Sequence, residues 1–169
     1  TLMRNRLTFA AAGLAVILMI LLSHSRGMGE TNRVLTIETA ELQKMIADGK
    51  QPRLITFMAA WCMPCIKELP DLNRLYAKYS PMGLEFIGIS LDYDGPQGIQ
   101  SIIDKKKVQF PVYWLGEEGI STFEIRRIPL IWLVRDGRIV QKIVGQRSRK
   151  NLEQIIQDFM GSPPESCCS

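Results

Sequence analysis

The 169-residue chain is long enough for one domain with a short appendage, and its 46% apolar content supports a sizeable core. The formal charge is +4, but Arg4, Arg6 and Arg26 lie in the first 26 residues. The 21 basic residues less these 3 leave 18 against 17 acidic ones, or +1 for the remainder. That balance argues against the concentrated basic face that a nucleic-acid partner requires, and Lys105, Lys106 and Lys107 read as a solvated helix end.

The chain opens with Arg4 and Arg6, followed by an uncharged run over residues 7–22, just short of the usual spanning length of about 20 residues. The basic flank favours the cytoplasmic side. Residues 1–26 are therefore expected to be a single-pass membrane anchor or a cleaved signal segment, with a buried N-terminal helix as the third reading. Either of the first two places a domain over residues 27–161 in an extracytoplasmic, oxidising compartment, the periplasm or its equivalent. Residues 162–169 read as a flexible tail. Its adjacent Cys167 and Cys168 are expected to have no catalytic role, with lipid attachment, metal capture and an intermolecular disulfide as the alternatives.

Val34 to Ile37 reads as a short strand. Thr39 can cap a helix over about 40–48 that Gly49 ends, with Leu42, Met45 and Ile46 on its apolar face. Leu54 to Ala60 is nearly continuously apolar, as suits a central strand covered on both faces. From about Cys62 to Tyr79, Ile66, Leu69, Leu72, Leu75 and Tyr76 recur at helical spacing, with Pro70 expected to kink that helix. Leu84 to Ser90 is another strand, and Asp92, Asp94, Gly95 and Pro96 form a loop. Residues 97–107 read as a helix, Phe110 to Trp114 as a short extended piece, and 117–125 as a weak helix. Pro129 to Val134 and Ile139 to Val144 are strands joined at Asp136-Gly137, a hairpin signature. Ser148 caps a last helix whose apolar face is Leu152, Ile155, Ile156 and Phe159. The pattern predicts an α/β fold: a central mixed sheet flanked by helices, with no internal repeat.

The chemistry lies in Trp61-Cys62-Met63-Pro64-Cys65. Two cysteines separated by two residues on a first helical turn are close enough to bridge. The sulfur of the first lies near unpaired backbone N–H groups and the positive helix end, which stabilise a thiolate. Cys65, one turn in, can resolve a mixed disulfide formed at Cys62. A lone Cys-x-x-Cys also occurs at zinc and iron–sulfur sites. Here it follows a strand, opens a helix and has no partner pair, so a redox role with no metal or other cofactor is the expectation. Trp61 would shape an apolar contact surface.

The segment Phe57 to Pro70, together with Phe110-Pro111-Val112, Arg127-Ile128-Pro129, Asp136-Gly137-Arg138 and Gly145, resembles the thioredoxin superfamily. The resemblance is to the membrane-tethered, extracytoplasmic TlpA/ResA-like thiol–disulfide oxidoreductases of bacteria, and it runs from about residue 34 to 160. It implies a thioredoxin-like fold, with the helix and strand around 96–114 as the insertion typical of that group. Only Val34 to Ile37 stands in place of the N-terminal hairpin common there. It further implies that Cys62 is the exposed attacking thiolate, Cys65 the resolving thiol, and Pro129 a cis proline presenting the backbone of Ile128 to an extended substrate. Trp61, Met63 and Pro64 would also contact substrate. On the residues alone, Pro129 could instead be the first residue of an edge strand. Thr56 stands where thioredoxin has a buried aspartate. Glu68 matches an acidic residue that modulates the dithiol, with a solvated helix carboxylate as the plainer reading.

The function expected from these features is reduction of disulfides in exported proteins, apocytochrome c among the candidates, by a monomeric soluble domain. Its partners would be protein thiols and disulfides and a membrane electron donor. The alternatives are a disulfide oxidase or isomerase of the same fold and a non-enzymatic, thiol-based metal-handling module. A peroxidase is disfavoured because the sequence has no Pro-x-x-x-Thr-x-x-Cys arrangement.

Overall fold

A computed structural model describes residues 32–161. The proposed anchor or signal segment and the Cys167/Cys168 tail lie outside the described residues. Six strands form one sheet: β1 (Leu35–Ile37), β2 (Arg53–Met58), β3 (Glu85–Ser90), β4 (Val112–Leu115), β5 (Leu130–Arg135) and β6 (Arg138–Val144). Their order is β1-β4-β3-β2-β5-β6. The β1–β4, β4–β3 and β3–β2 pairs are parallel, and β2–β5 and β5–β6 are antiparallel. Helices α1 (Thr39–Ala47), α2 (Met63–Tyr79), α3 (Gln97–Lys106), α4 (Glu117–Thr122) and α5 (Arg149–Gly161) flank this sheet. The result is the mixed, thioredoxin-like α/β arrangement that the sequence pattern predicts.

The period of two along the strands builds two cores. Leu54 and Met58 of β2, Phe86 of β3, and Ile131 and Leu133 of β5 pack in one layer with Leu69 and Leu72 of α2, Ile103 of α3 and Ile156 of α5. Their neighbours Ile55, Phe57, Ile87, Ile89, Leu130 and Trp132 face the opposite layer, with Leu42 of α1 and Leu115. Every residue of β2 is buried, so its apolar run is explained by cover on both faces. Each fully buried Leu, Ile or Phe contributes about 1.5–3 kcal/mol relative to exposure. Phe57 and Trp132 add an edge-on contact with ring centroids 4.5 Å apart.

One buried cation crosses this plan. Arg53 opens β2 at 5% exposure, and its guanidinium pairs with Asp48 through Nη1–Oδ1 (2.6 Å) and Nη2–Oδ2 (2.9 Å). It also donates to the Met45 carbonyl and to Glu85. The end of α1 is thereby tied to the starts of β2 and β3.

Several local expectations change. Glu38, not Thr39, is the N-cap of α1, and its backbone N–H donates to the Glu41 carboxylate at 3.0 Å. A carboxylate three residues into a helix can reach back to the cap N–H, and that contact moves the boundary by one residue. Pro70 lies inside α2, as expected, and does not end it: the helix runs on to Tyr79. The extended piece predicted at Phe110 enters the β3 register at Val112; Pro111 before it has no N–H to give, and only its carbonyl joins the ladder, accepting the Gly88 N–H at 2.8 Å. Helix α4 stops at Thr122 because Glu124 adopts a φ of 50°. Ser148 does cap α5, its Oγ accepting the Asn151 N–H at 3.3 Å.

The β5–β6 turn places Asp136 at φ 51° and Gly137 at φ 73°, both positive, as the tight hairpin requires. A Cβ on Gly137 would also stand 2.8 Å from the Ala47 carbonyl oxygen, where the hairpin meets α1. Gly137→Ala should therefore lower unfolding free energy by about 1–3 kcal/mol in urea titration. Gly161→Ala, where a Cβ meets nothing within 4 Å, should change it little.

Candidate active site

Strand β2 ends at Met58, and a turn closed by the Cys62 N–H on the Ala59 carbonyl (3.0 Å) passes the chain into α2. Cys62 is the N-cap and Pro64 occupies the first helical turn, a position that loses no helix hydrogen bond. Cys62 and Cys65 form a disulfide with Cα atoms 5.3 Å apart. The Cys65 N–H points at the Cys62 Sγ, 3.3 Å away. Pro64 can supply no such donor, so this amide and the helix end are what stabilise negative charge at Cys62.

The expectation of an exposed Cys62 is corrected: in the disulfide it is 5% exposed, against 2% for Cys65. Cys62 is the more accessible of the two, but the cap position folds its side chain over the helix end. Access is framed by what stands beside it, Trp61 at 55% and Met63 at 59% exposure. Trp61 stacks on Tyr93, ring centroids 6.0 Å apart and planes 14° apart.

Pro129 is preceded by a cis peptide bond, as the resemblance implied. It is not an edge-strand residue: β5 lies between β2 and β6, and Leu130 pairs with Phe57. That register brings the start of β5 alongside the end of β2 that leads to the cysteines. Ile128 and Trp61 line one open groove of about 620 Å³.

Two buried carboxylates support the junction. Glu68 is 2% exposed, which overturns the solvated-carboxylate reading. It lies three residues beyond Cys65 on the same helix face and accepts the Arg147 N–H at 3.0 Å. Burial pushes its pKa above the usual carboxylate range, a shift that the Arg147 N–H and charge only partly oppose. Asp92 is the other, and its sequence context reads only as loop. Its Oδ1 and Oδ2 accept the Ala60 N–H at 2.9 and 3.1 Å, and Ser90 Oγ donates to Oδ2 at 2.7 Å. Its own carbonyl accepts the Trp114 indole N–H at 2.6 Å. The available signal is Ser-x-Asp immediately after an apolar strand. Thr56 is buried at the centre of β2, paired with Gly88 and Ile131.

Among the described residues, no group of three or more His, Cys, Asp or Glu side chains could hold a metal ion. No helix among them is long and apolar enough to cross a membrane.

Asp92→Ala should cost about 2–4 kcal/mol by urea denaturation, because the partly buried Ala60 N–H and the buried Ser90 hydroxyl lose their acceptor. Asp92→Asn, which keeps an acceptor, should cost less. For Glu68 the folded pKa lies above the unfolded one, so the folded state binds more protons. Its contribution to stability is greatest below the unfolded value of about 4.3 and is lost as pH rises through the folded value. Glu68→Gln should therefore gain stability relative to the parent on going from pH 4 to pH 7.5, measured by denaturation of the oxidised protein.

The AhpC/TSA family model matches residues 31–141. The thiol–disulfide oxidoreductase ResA of Bacillus anthracis is 32% identical over 105 residues, covering 61% of this chain and 60% of that protein. ResA of Oceanobacillus iheyensis is 30% identical over 126 residues, 73% of this chain and 64% of that one. The chain thus spans somewhat under two thirds of the curated relatives it matches. Among solved structures, a thiol:disulfide interchange protein of the thioredoxin family from Chlorobium tepidum TLS superposes with a TM-score of 0.61 at 23% identity, over 70% of this chain and 85% of that one. StoA from Bacillus subtilis gives 0.56 at 24% identity, over 64% and 84%. A buried strand leading into a Cys-x-x-Cys helix, in a sheet that superposes on these structures, agrees with the sequence matches: the chain belongs to the AhpC/TSA family and has the thioredoxin-like fold of the ResA/TlpA-like thiol–disulfide oxidoreductases.

Proposed function

We propose that this chain is an extracytoplasmic thiol–disulfide oxidoreductase that reduces disulfides in exported proteins. The observation that carries the reading is the Cys62–Cys65 disulfide at the N-terminus of α2, with the Cys65 N–H directed at the Cys62 sulfur. Two further features support it: the open groove beside the pair and the similarity to proteins named thiol–disulfide oxidoreductase.

In the proposed cycle, the Cys62 thiolate attacks one sulfur of a client disulfide. A Cys62–client S–S bond forms, the client S–S bond breaks, and the second client sulfur leaves as a thiolate that takes a proton. Cys65 then loses its proton and attacks the Cys62 sulfur, releasing the first client sulfur, which is protonated in turn. Two electrons and two protons pass to the client, and Cys62–Cys65 is left oxidised. Glu68, one turn from Cys65 and with its pKa raised by burial, is suited to accept the Cys65 proton. A dithiol donor on the membrane would restore the reduced pair. Residues 1–26 would hold the domain to that membrane as an anchor, or deliver it across as a signal. Trp61, Met63, Pro64 and the backbone at Ile128-Pro129 would contact the client, and apocytochrome c is a candidate.

The reduced chain should turn over a protein disulfide such as insulin's, and Cys62→Ser should abolish that turnover. Cys65→Ser should accumulate a mixed disulfide that non-reducing electrophoresis resolves. Equilibration in glutathione buffers should give a potential well below about −200 mV. A value near about −120 mV would assign the chain to disulfide oxidation instead. Failure of Cys65→Ser to trap any thiol partner would remove the two-step mechanism.

A further inference from the structure

The groove beside the dithiol is lined by unlike side chains. Trp61 and Tyr93, stacked and exposed, form one part of it. Arg126 and Arg127 line another part of it, with the partly buried Ile128 and the buried, apolar Leu91 and Ile125. Both arginines are exposed. Among the described residues Arg127 has no ion pair, and Arg126 has only Glu124 at 3.9 Å, with both side chains more than three-quarters exposed. An exposed pair at that separation is weak and leaves Arg126 free to exchange partners. Arg147, two residues beyond the Gly145 that lines the groove, is exposed, and its guanidinium donates to the carbonyls of Gly145 and Gln146 at 3.5 and 3.2 Å. Arg126, Arg127 and Val144 also line a neighbouring recess that holds Lys142 together with the exposed Glu124. Val144 belongs to β6, the outermost strand of the sheet, where an extended chain can lie alongside.

We propose that this groove docks an extended segment of the client protein that carries an acidic side chain beside its reactive cysteine. The proposal rests on the oxidoreductase reading and specifies its substrate class. The Trp61–Tyr93 surface supplies sequence-tolerant apolar contact, and Arg126 and Arg127 select the charge. The arginines favour clients with Asp or Glu near the disulfide and disfavour those with Lys or Arg.

The test uses the reduced full chain and three model peptides, each with one intramolecular disulfide flanked by Asp, Asn or Lys. Reduction of hydroxyethyl disulfide by the same preparation is the control. At low ionic strength the Asp peptide should react about threefold to tenfold faster than the Lys peptide, the range that one or two exposed ion pairs supply. The Asp/Lys ratio should collapse or invert in Arg126→Glu/Arg127→Glu, and collapse at about 1 M salt, where the Debye length is about 3 Å. A ratio cancels any general loss of activity, and Arg126→Gln/Arg127→Gln provides the same readout with less change in charge. Equal rates in the parent, or a ratio that the arginine variants leave unchanged, would overturn the proposal. So would self-association of the chain that Trp61→Ala abolishes, since the occupant would then be a second copy. Failure to reduce hydroxyethyl disulfide would instead overturn the oxidoreductase reading beneath it.

Discussion

A fully buried strand must hand its chain to a helix across four residues, and the reactive pair sits at that handover. Strand β2 is covered on both faces, so its direction is fixed by the two cores. The turn after it cannot relax outward, because Asp92 holds the Ala60 N–H and Cys62 closes on Ala59. Cys62 therefore arrives at the helix end with its sulfur beside the Cys65 N–H. The chemistry follows from that placement, since a thiolate at an open helix terminus is stabilised by amides that have no partner within the helix.

The junction also depends on two buried carboxyl groups. Asp92 and Glu68 are both nearly inaccessible, but they are satisfied differently. Asp92 accepts from two donors and fixes backbone. Glu68 accepts the Arg147 N–H from the loop after β6, and burial outweighs that contact in its pKa. Asp92 is thus committed to architecture, and the Glu68 carboxyl, with its raised pKa, is the one that the proposed mechanism can use. The arginines of the groove lie outside this buried set, in solvent, where charge selects partners rather than holding the fold.

Much of this is legible in the sequence. The short, nearly continuous apolar runs of β2, β3 and β5 mark the strands, and the Asp136-Gly137 pair marks the hairpin, because each depends on a local run or on a turn that few residues can make. The Cys62/Cys65 pair and Pro129 are legible through spacing and resemblance. The tertiary polar contacts are not. Asp92 reads as one more loop residue until the fold brings Ala60 above it, 32 positions away. Glu68 on a helix surface looks solvated until the Arg147 segment closes over it, 79 positions away. Nothing local to Tyr93 signals that it meets Trp61. The burial of Cys62 escapes the sequence for a related reason: a helix-terminal sulfur is reactive through its amides, and that does not require its side chain to be exposed.

The central claim is that Cys62 is the activated thiolate. Its most direct test is the pH dependence of iodoacetamide alkylation in the fully reduced chain, with the modified residue located by mass spectrometry. Cys62 should be labelled first, with a midpoint well below the ordinary cysteine value of about 8.5. Preferential labelling of Cys65, or a Cys62 midpoint at or above that value, would contradict it.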